Sequence, residues 1–106
     1  MTVEDSPPLP TASEVRSYVV AQWDINWQWH EVFARFAERK GERATLVSVG
    51  DVQCSYFYIT PQCTIQVTGR FPDGQSKTLP MFAQFERDKR GNLVEVIVTY
   101  HEVPKR

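Results

Sequence analysis

The hydrophobic period of this chain changes once, near Gly41, and that change limits the folds open to it. Before Gly41 the apolar residues recur at helical spacing; after Glu42 they alternate, as in strands half-covered on one face. Thr11-Ala12-Ser13-Glu14 reads as a capping box, with Thr11 as N-cap and Glu14 reaching back from the third helical position. Arg39-Lys40-Gly41 marks the far end: cations suit the negative helix terminus, and glycine suits the residue past it. Set at 100° per residue, Ser17, Asp24, Gln28, Glu31, Arg35 and Arg39 share one polar stripe. Val15, Tyr18, Val19, Trp23, Trp29, Val32, Phe33, Phe36 and Ala37 occupy the opposite arc. This phase predicts one helix of about 28 residues, about 42 Å long. A break at Asp24-Ile25-Asn26 is the alternative, because Asp and Asn are weak helix formers.

Within the apolar arc, Gln22, Asn26 and His30 form a polar line at i, i+4 and i+8, beside Trp23, Trp27 and Trp29. Polar groups on a covered face cost about 1–3 kcal/mol each without a hydrogen bond. Either the sheet satisfies them, or they line a cavity, or they face a partner.

The remainder reads as strands over residues 44–49, 52–60, 63–71, 76–86 and 93–103. Gly50-Asp51 fits a two-residue hairpin turn, and Thr60-Pro61 a break. Phe71-Pro72-Asp73-Gly74-Gln75 and Gly91-Asn92 are further turn signals. Turns this short imply antiparallel pairing. In that register Val47, Val49, Val52, Cys54, Tyr56, Tyr58, Cys63, Ile65 and Val67 lie under the helix, with Val94, Val96, Val98 and Tyr100 in phase on the last strand. Phe57, Ile59, Phe82 and Ile97 fall on the convex face, and Glu95 alternates to that side too. Cys54 is then expected opposite Val67, about 13 Å from Cys63 and beyond disulfide reach. Two free buried thiols are the expectation.

At 106 residues the chain is expected to form one domain over 11–103, with an arm at 1–10 and a tail at 104–106. A net charge of -1 gives no field for nucleic acid, although Tyr56 and Phe57 could stack bases. There is no apolar run long enough for a membrane span, and residues 1–10 lack the basic and apolar regions of a signal peptide, so a cytoplasmic location is expected. No His, Cys, Asp or Glu set has metal spacing, and no phosphate-loop or dinucleotide motif occurs, so neither metal nor cofactor is expected.

One N-terminal helix laid over a curved antiparallel meander resembles the cystatin-like and NTF2-like α+β rolls. The resemblance is architectural and covers residues 11–103. Gln66-Val67-Thr68-Gly69 is one residue short of the cystatin inhibitory motif, and no Pro-Trp pair follows, so inhibition is not implied. The resemblance implies a cone between helix and sheet that can hold a ligand, and a convex face that can dimerise. Enzymes on this roll, the ketosteroid isomerase and polyketide cyclase types, would use a pocket His and Tyr. Here those are His30 with Tyr18, Tyr56, Tyr58 and Tyr100, and no pocket acid is visible to join them.

The expectation is therefore an α+β fold: one long N-terminal helix packed on a curved antiparallel sheet of four to five strands. It would be a small non-enzymatic binding domain. One form holds an apolar or aromatic small molecule with Gln22, Asn26, His30, Tyr18, Tyr56, Tyr58 and Tyr100. The other forms a homodimer through Phe57, Ile59, Phe82 and Ile97.

Overall fold

The capping box forms as read: the Thr11 hydroxyl accepts from the Glu14 amide at 3.1 Å, and the Glu14 carboxylate accepts from the Thr11 amide at 3.0 Å. The computed structural model describes residues 8–100, with side chains up to Val98, and starts α1 at this box (Ala12–Gln22). Residues 1–7 of the expected arm, residues 101–103, the tail 104–106 and the Tyr100 side chain lie outside the described residues.

The helical segment is two helices, not one. α1 stops at Gln22, whose carbonyl accepts from the amides of Ile25 (3.1 Å) and Asn26 (2.8 Å). Asn26 then takes an extended conformation (φ -109°), and its side chain accepts from the Gln28 amide at 3.0 Å to cap α2 (Trp27–Phe36). The physical reason is local competition. An asparagine side chain gains more by capping a new helix start than by lying inside an old one. The second helix also ends earlier than Gly41. Glu38 occupies the left-handed position (φ 61°), with the Arg39 amide bonded to the Ala34 carbonyl (2.8 Å) and the Glu38 amide to Arg35 (3.0 Å). That pair of bonds is a Schellman ending with glutamate where glycine is usual.

Among the described residues four strands follow: β1 (Thr45–Phe57), β2 (Thr60–Arg70), β3 (Ser76–Arg87) and β4 (Leu93–Tyr100). They pair antiparallel in the order β1-β2-β3-β4, so β1 and β4 are the edges. The expected hairpin at Gly50-Asp51 does not form. Val49 pairs with Val67 and Val52 with Ile65, so Gly50 and Asp51 together oppose Gln66 alone as a bulge inside one long strand. The chain turns later, at Tyr58-Ile59.

Both helices lie on one face of the sheet. Val15, Val19, Trp23, Trp29 and Phe33 are buried against Ile65, Val67, Met81, Ala83 and Phe85. The Trp23 indole N–H donates to the Ala44 carbonyl at 2.9 Å, so its polar edge is satisfied inside the core. Gly69 lets Phe33 approach β2: a Cβ there would stand 2.8 Å from the Phe33 ring. Trp27 does not join the core and is 55% exposed.

Candidate functional site

The polar side chains of the helices converge on one carboxylate that the alternation pattern assigns to the wrong face. Glu95 lies beneath the helices. Its Oε1 accepts from the Tyr18 hydroxyl (2.9 Å) and the Trp29 indole N–H (2.9 Å), and its Oε2 accepts from the Asn26 amide (2.7 Å). A single bulge accounts for this. Gln84 pairs with Ile97 and Phe85 with Glu95, which leaves Val96 without an opposite residue. One extra residue moves everything before it to the other face. Val96 (50% exposed) and Val94 (43%) therefore point outward, correcting the expected phase, while Val98 is buried. Burial beside this carboxylate pushes the Tyr18 hydroxyl up to about 12.

The line Gln22, Asn26, His30 is not held together. Gln22 ends α1, Asn26 caps α2 and binds Glu95, and His30 faces a different surface. Tyr18 joins the Glu95 cluster rather than Tyr56 and Tyr58. The space between helices and sheet there is occupied by core side chains such as Val19, Trp29 and Phe85.

A second group assembles at the β1–β2 turn. Tyr56, Phe57, Tyr58 and Ile59 are 38%, 52%, 87% and 44% exposed. The pattern in the sequence divides them between the two faces of the sheet; the turn brings all four to one tip. Phe57 and Tyr58 meet edge to face, 4.8 Å between ring centroids. Tyr58 carries a positive φ of 58° at the first turn position, in the left-handed region where glycine is usual. An aromatic residue there costs about 1 kcal/mol. Behind the tip, Cys54 and Cys63 are directly paired and joined by a disulfide, which corrects the expectation of two free thiols. The turn supplies the reason: with the loop at Tyr58-Ile59 rather than Thr60-Pro61, Phe57 pairs with Thr60 and the ladder runs unshifted to place Cys54 opposite Cys63.

Phe82 and Ile97 lie on the helix-free face but are not continuous with Phe57 and Ile59. Gln62 and Gln84 stand between them in adjacent strands, and the face carries Thr64, Gln66 and Thr68 as well.

Two surface cavities adjoin α2. One of about 280 Å³ is lined by His30, Glu31, Arg35, Lys40, Glu42 and Arg43. Another of about 290 Å³ lies against β4, lined by Trp27, Gln28, Val32, Arg35, Val96 and Ile97. Among the described residues no group of three His, Cys, Asp or Glu is placed to hold a metal ion, and no helix is long and apolar enough to cross a membrane. No protein-family model, curated protein or solved structure matches the chain.

Proposed function

We propose that this protein is a non-enzymatic interaction module whose contact element is the disulfide-stapled aromatic hairpin, and that its partner is a second copy of the chain. The observation that carries this reading is the tip itself: four consecutive large apolar residues, Tyr56 to Ile59, all exposed on a turn with unfavourable backbone geometry. Strain at an exposed turn persists only where surrounding structure holds it, and the Cys54–Cys63 disulfide ties the two strands together behind this turn.

The alternatives on the surface are weaker. Both sheet edges carry the devices that block strand addition: bulges in β1 and β4, and in β4 the inward-turned Glu95. On the helix-free face β2 presents Thr and Gln, and the apolar residues Phe82, Val94, Val96 and Ile97 are confined to the β3–β4 side, off the β1–β2 hairpin. Glu95 is the carboxylate an isomerase-like site would need beside a tyrosine, but its oxygens already accept from three protein donors, which supports an anchoring role. The four tip side chains are uncharged and rich in aromatic edges and faces, with Glu86 and Arg87 only at the margin beside Ile59, so two copies can pack their apolar side chains against each other. Four side chains are a small contact, well below the roughly 800 Å² per partner of a standard interface, so the dimer is a weak one. The disulfide supports work in an oxidising compartment in preference to the cytoplasm.

Sedimentation velocity over a concentration series tests the reading. A reversible monomer–dimer equilibrium is expected, with dissociation constants of about 10–100 µM. Phe57→Ser with Tyr58→Ser should move it to monomer, while Ile97→Ser should leave it unchanged. Wild-type protein that stays monomeric to about 1 mM would remove the proposal.

A further inference from the structure

His30 was expected to touch an apolar ligand, but the cavity it lines has a different chemistry. Around its rim stand Arg35, Lys40 and Arg43, against the carboxylates Glu31 and Glu42. These charges are not equally available. Glu42 is held by Arg39 through two bonds, at 2.6 and 2.9 Å. Arg39 in turn binds Asp73 at 2.8 Å and lies 4.4 Å over the Phe71 ring, so it cannot swing toward the cavity without losing all of these contacts. Glu42 is thus paired from behind, by a guanidinium it shares with Asp73. Arg43 reaches the Asp24 carboxylate at 3.3 Å, but both side chains are more than half exposed, and an ion pair of that kind is worth little. Among the lining residues Arg35, Lys40 and Arg43 then stand against Glu31 and the already paired Glu42, an excess of one positive charge.

The shape fits the same conclusion. Buried Ala34 gives a small floor, and Gly41 stands at the rim in a left-handed conformation (φ 92°) with no atom within 4 Å of where a Cβ would be. That leaves the mouth open beside His30. At about 280 Å³ the space is just under the usual range for small-molecule pockets, about 300–1,000 Å³, so its ligand is small.

We infer that the cavity between α2 and the 40–43 segment is a binding site for a small oxyanion, a phosphate or a short carboxylate, gripped by Arg35 and Lys40 and bounded by His30. The guanidinium of Arg35 offers paired donors to two oxygens, and Lys40 offers a mobile point charge. This site is independent of the aromatic tip, because no residue of one belongs to the other.

The test follows the imidazole resonances of His30 by NMR on the full chain at fixed pH and ionic strength. Sodium phosphate and sodium succinate are titrated separately against sodium chloride as control. A saturable shift with one or both oxyanions, and none with chloride, is expected. Phosphate alone producing it assigns a phosphate group; succinate alone assigns a carboxylate. Arg35→Gln and Lys40→Gln each weaken the binding by about three- to tenfold, and a backbone amide spectrum matching wild type shows that each variant is folded. A shift that never saturates, or that chloride reproduces, overturns the inference. So does saturable binding left intact in the Arg35→Gln/Lys40→Gln double variant.

Discussion

The two inner strands and the two edge strands of this sheet were built from similar residues and behave differently. From Gln62↔Gln84 to Arg70↔Ser76, β2 and β3 pair without a single register shift. Their side chains alternate between buried and half-buried positions, as the sequence pattern predicts. β1 carries two bulges against β2, and β4 carries one against β3. An inner strand is held by ladders on both sides, so an extra residue would disrupt two sets of hydrogen bonds. An edge strand loses only one set and gains twist. The features specific to this molecule sit where bulges are tolerated. One aims Glu95 at the helices; those in β1 lie between Leu46 and Val52, past the unshifted stretch where Cys54 meets Cys63 behind the aromatic tip.

The largest effect should come from the edge. Replacing Glu95 by alanine leaves the Tyr18 hydroxyl, the Asn26 amide and the buried Trp29 indole without their acceptor. A loss of about 3 kcal/mol or more is expected in urea unfolding. A value near that of an exposed substitution would show that Glu95 is not the anchor. Next comes the staple: Cys54→Ser with Cys63→Ser removes a link across a sequence separation of 9, for an expected loss of about 2–3 kcal/mol. If thermal unfolding of this double variant matches that of the oxidised parent, the hairpin holds itself and the edge needs no clamp.

An inner-strand site gives a smaller effect of another kind. Gly69→Ala drives a methyl into Phe33, whose ring is 2.8 Å from the added carbon, and should cost about 1–3 kcal/mol. The change is pure overpacking, with the register untouched, so hydrogen exchange should report unaltered β2–β3 pairing. The smallest effect lies at the start of α1. Glu14 is held down to about 2, first by its hydrogen bond to Arg87 and then by that to the Thr11 amide. Its folded value is below its unfolded one, so its contribution is present above about pH 4.5 and is lost as pH falls toward 2. With a partly exposed carboxylate the amount is below about 1 kcal/mol. Arg87→Met should flatten that part of the pH–stability curve; an unchanged curve would assign the acid sensitivity to other carboxylates.

Much of the site was hidden for an identifiable reason. Leu93 to Val98 is apolar in both phases except at Glu95, so alternation cannot say which face is inward. A different signal was available. Tyr18, Asn26 and Trp29 all bring donors to a covered face, and counting donors against acceptors on that face shows that an acceptor is missing. The tip was half legible. Tyr56 to Ile59 stood out as an aromatic cluster, but with the turn placed at Thr60-Pro61 the four residues divided between two faces. A tyrosine at a left-handed turn position is not something composition announces. The junction at Asn26 could be read only as an alternative, because the same residue types suit a weak helix interior and a strong cap.

From the order of its residues alone, this chain determines its period switch, its first cap, its inner strands and the face they bury. Those follow from interactions among residues near in sequence and from the sorting of apolar from polar side chains. The bulges, the pairing of Cys54 with Cys63, the inward turn of Glu95 and the gathering of four apolar residues at one tip were decided by the tertiary structure. Register is a property of two strands together, and one residue left out of a ladder reverses every face beyond it.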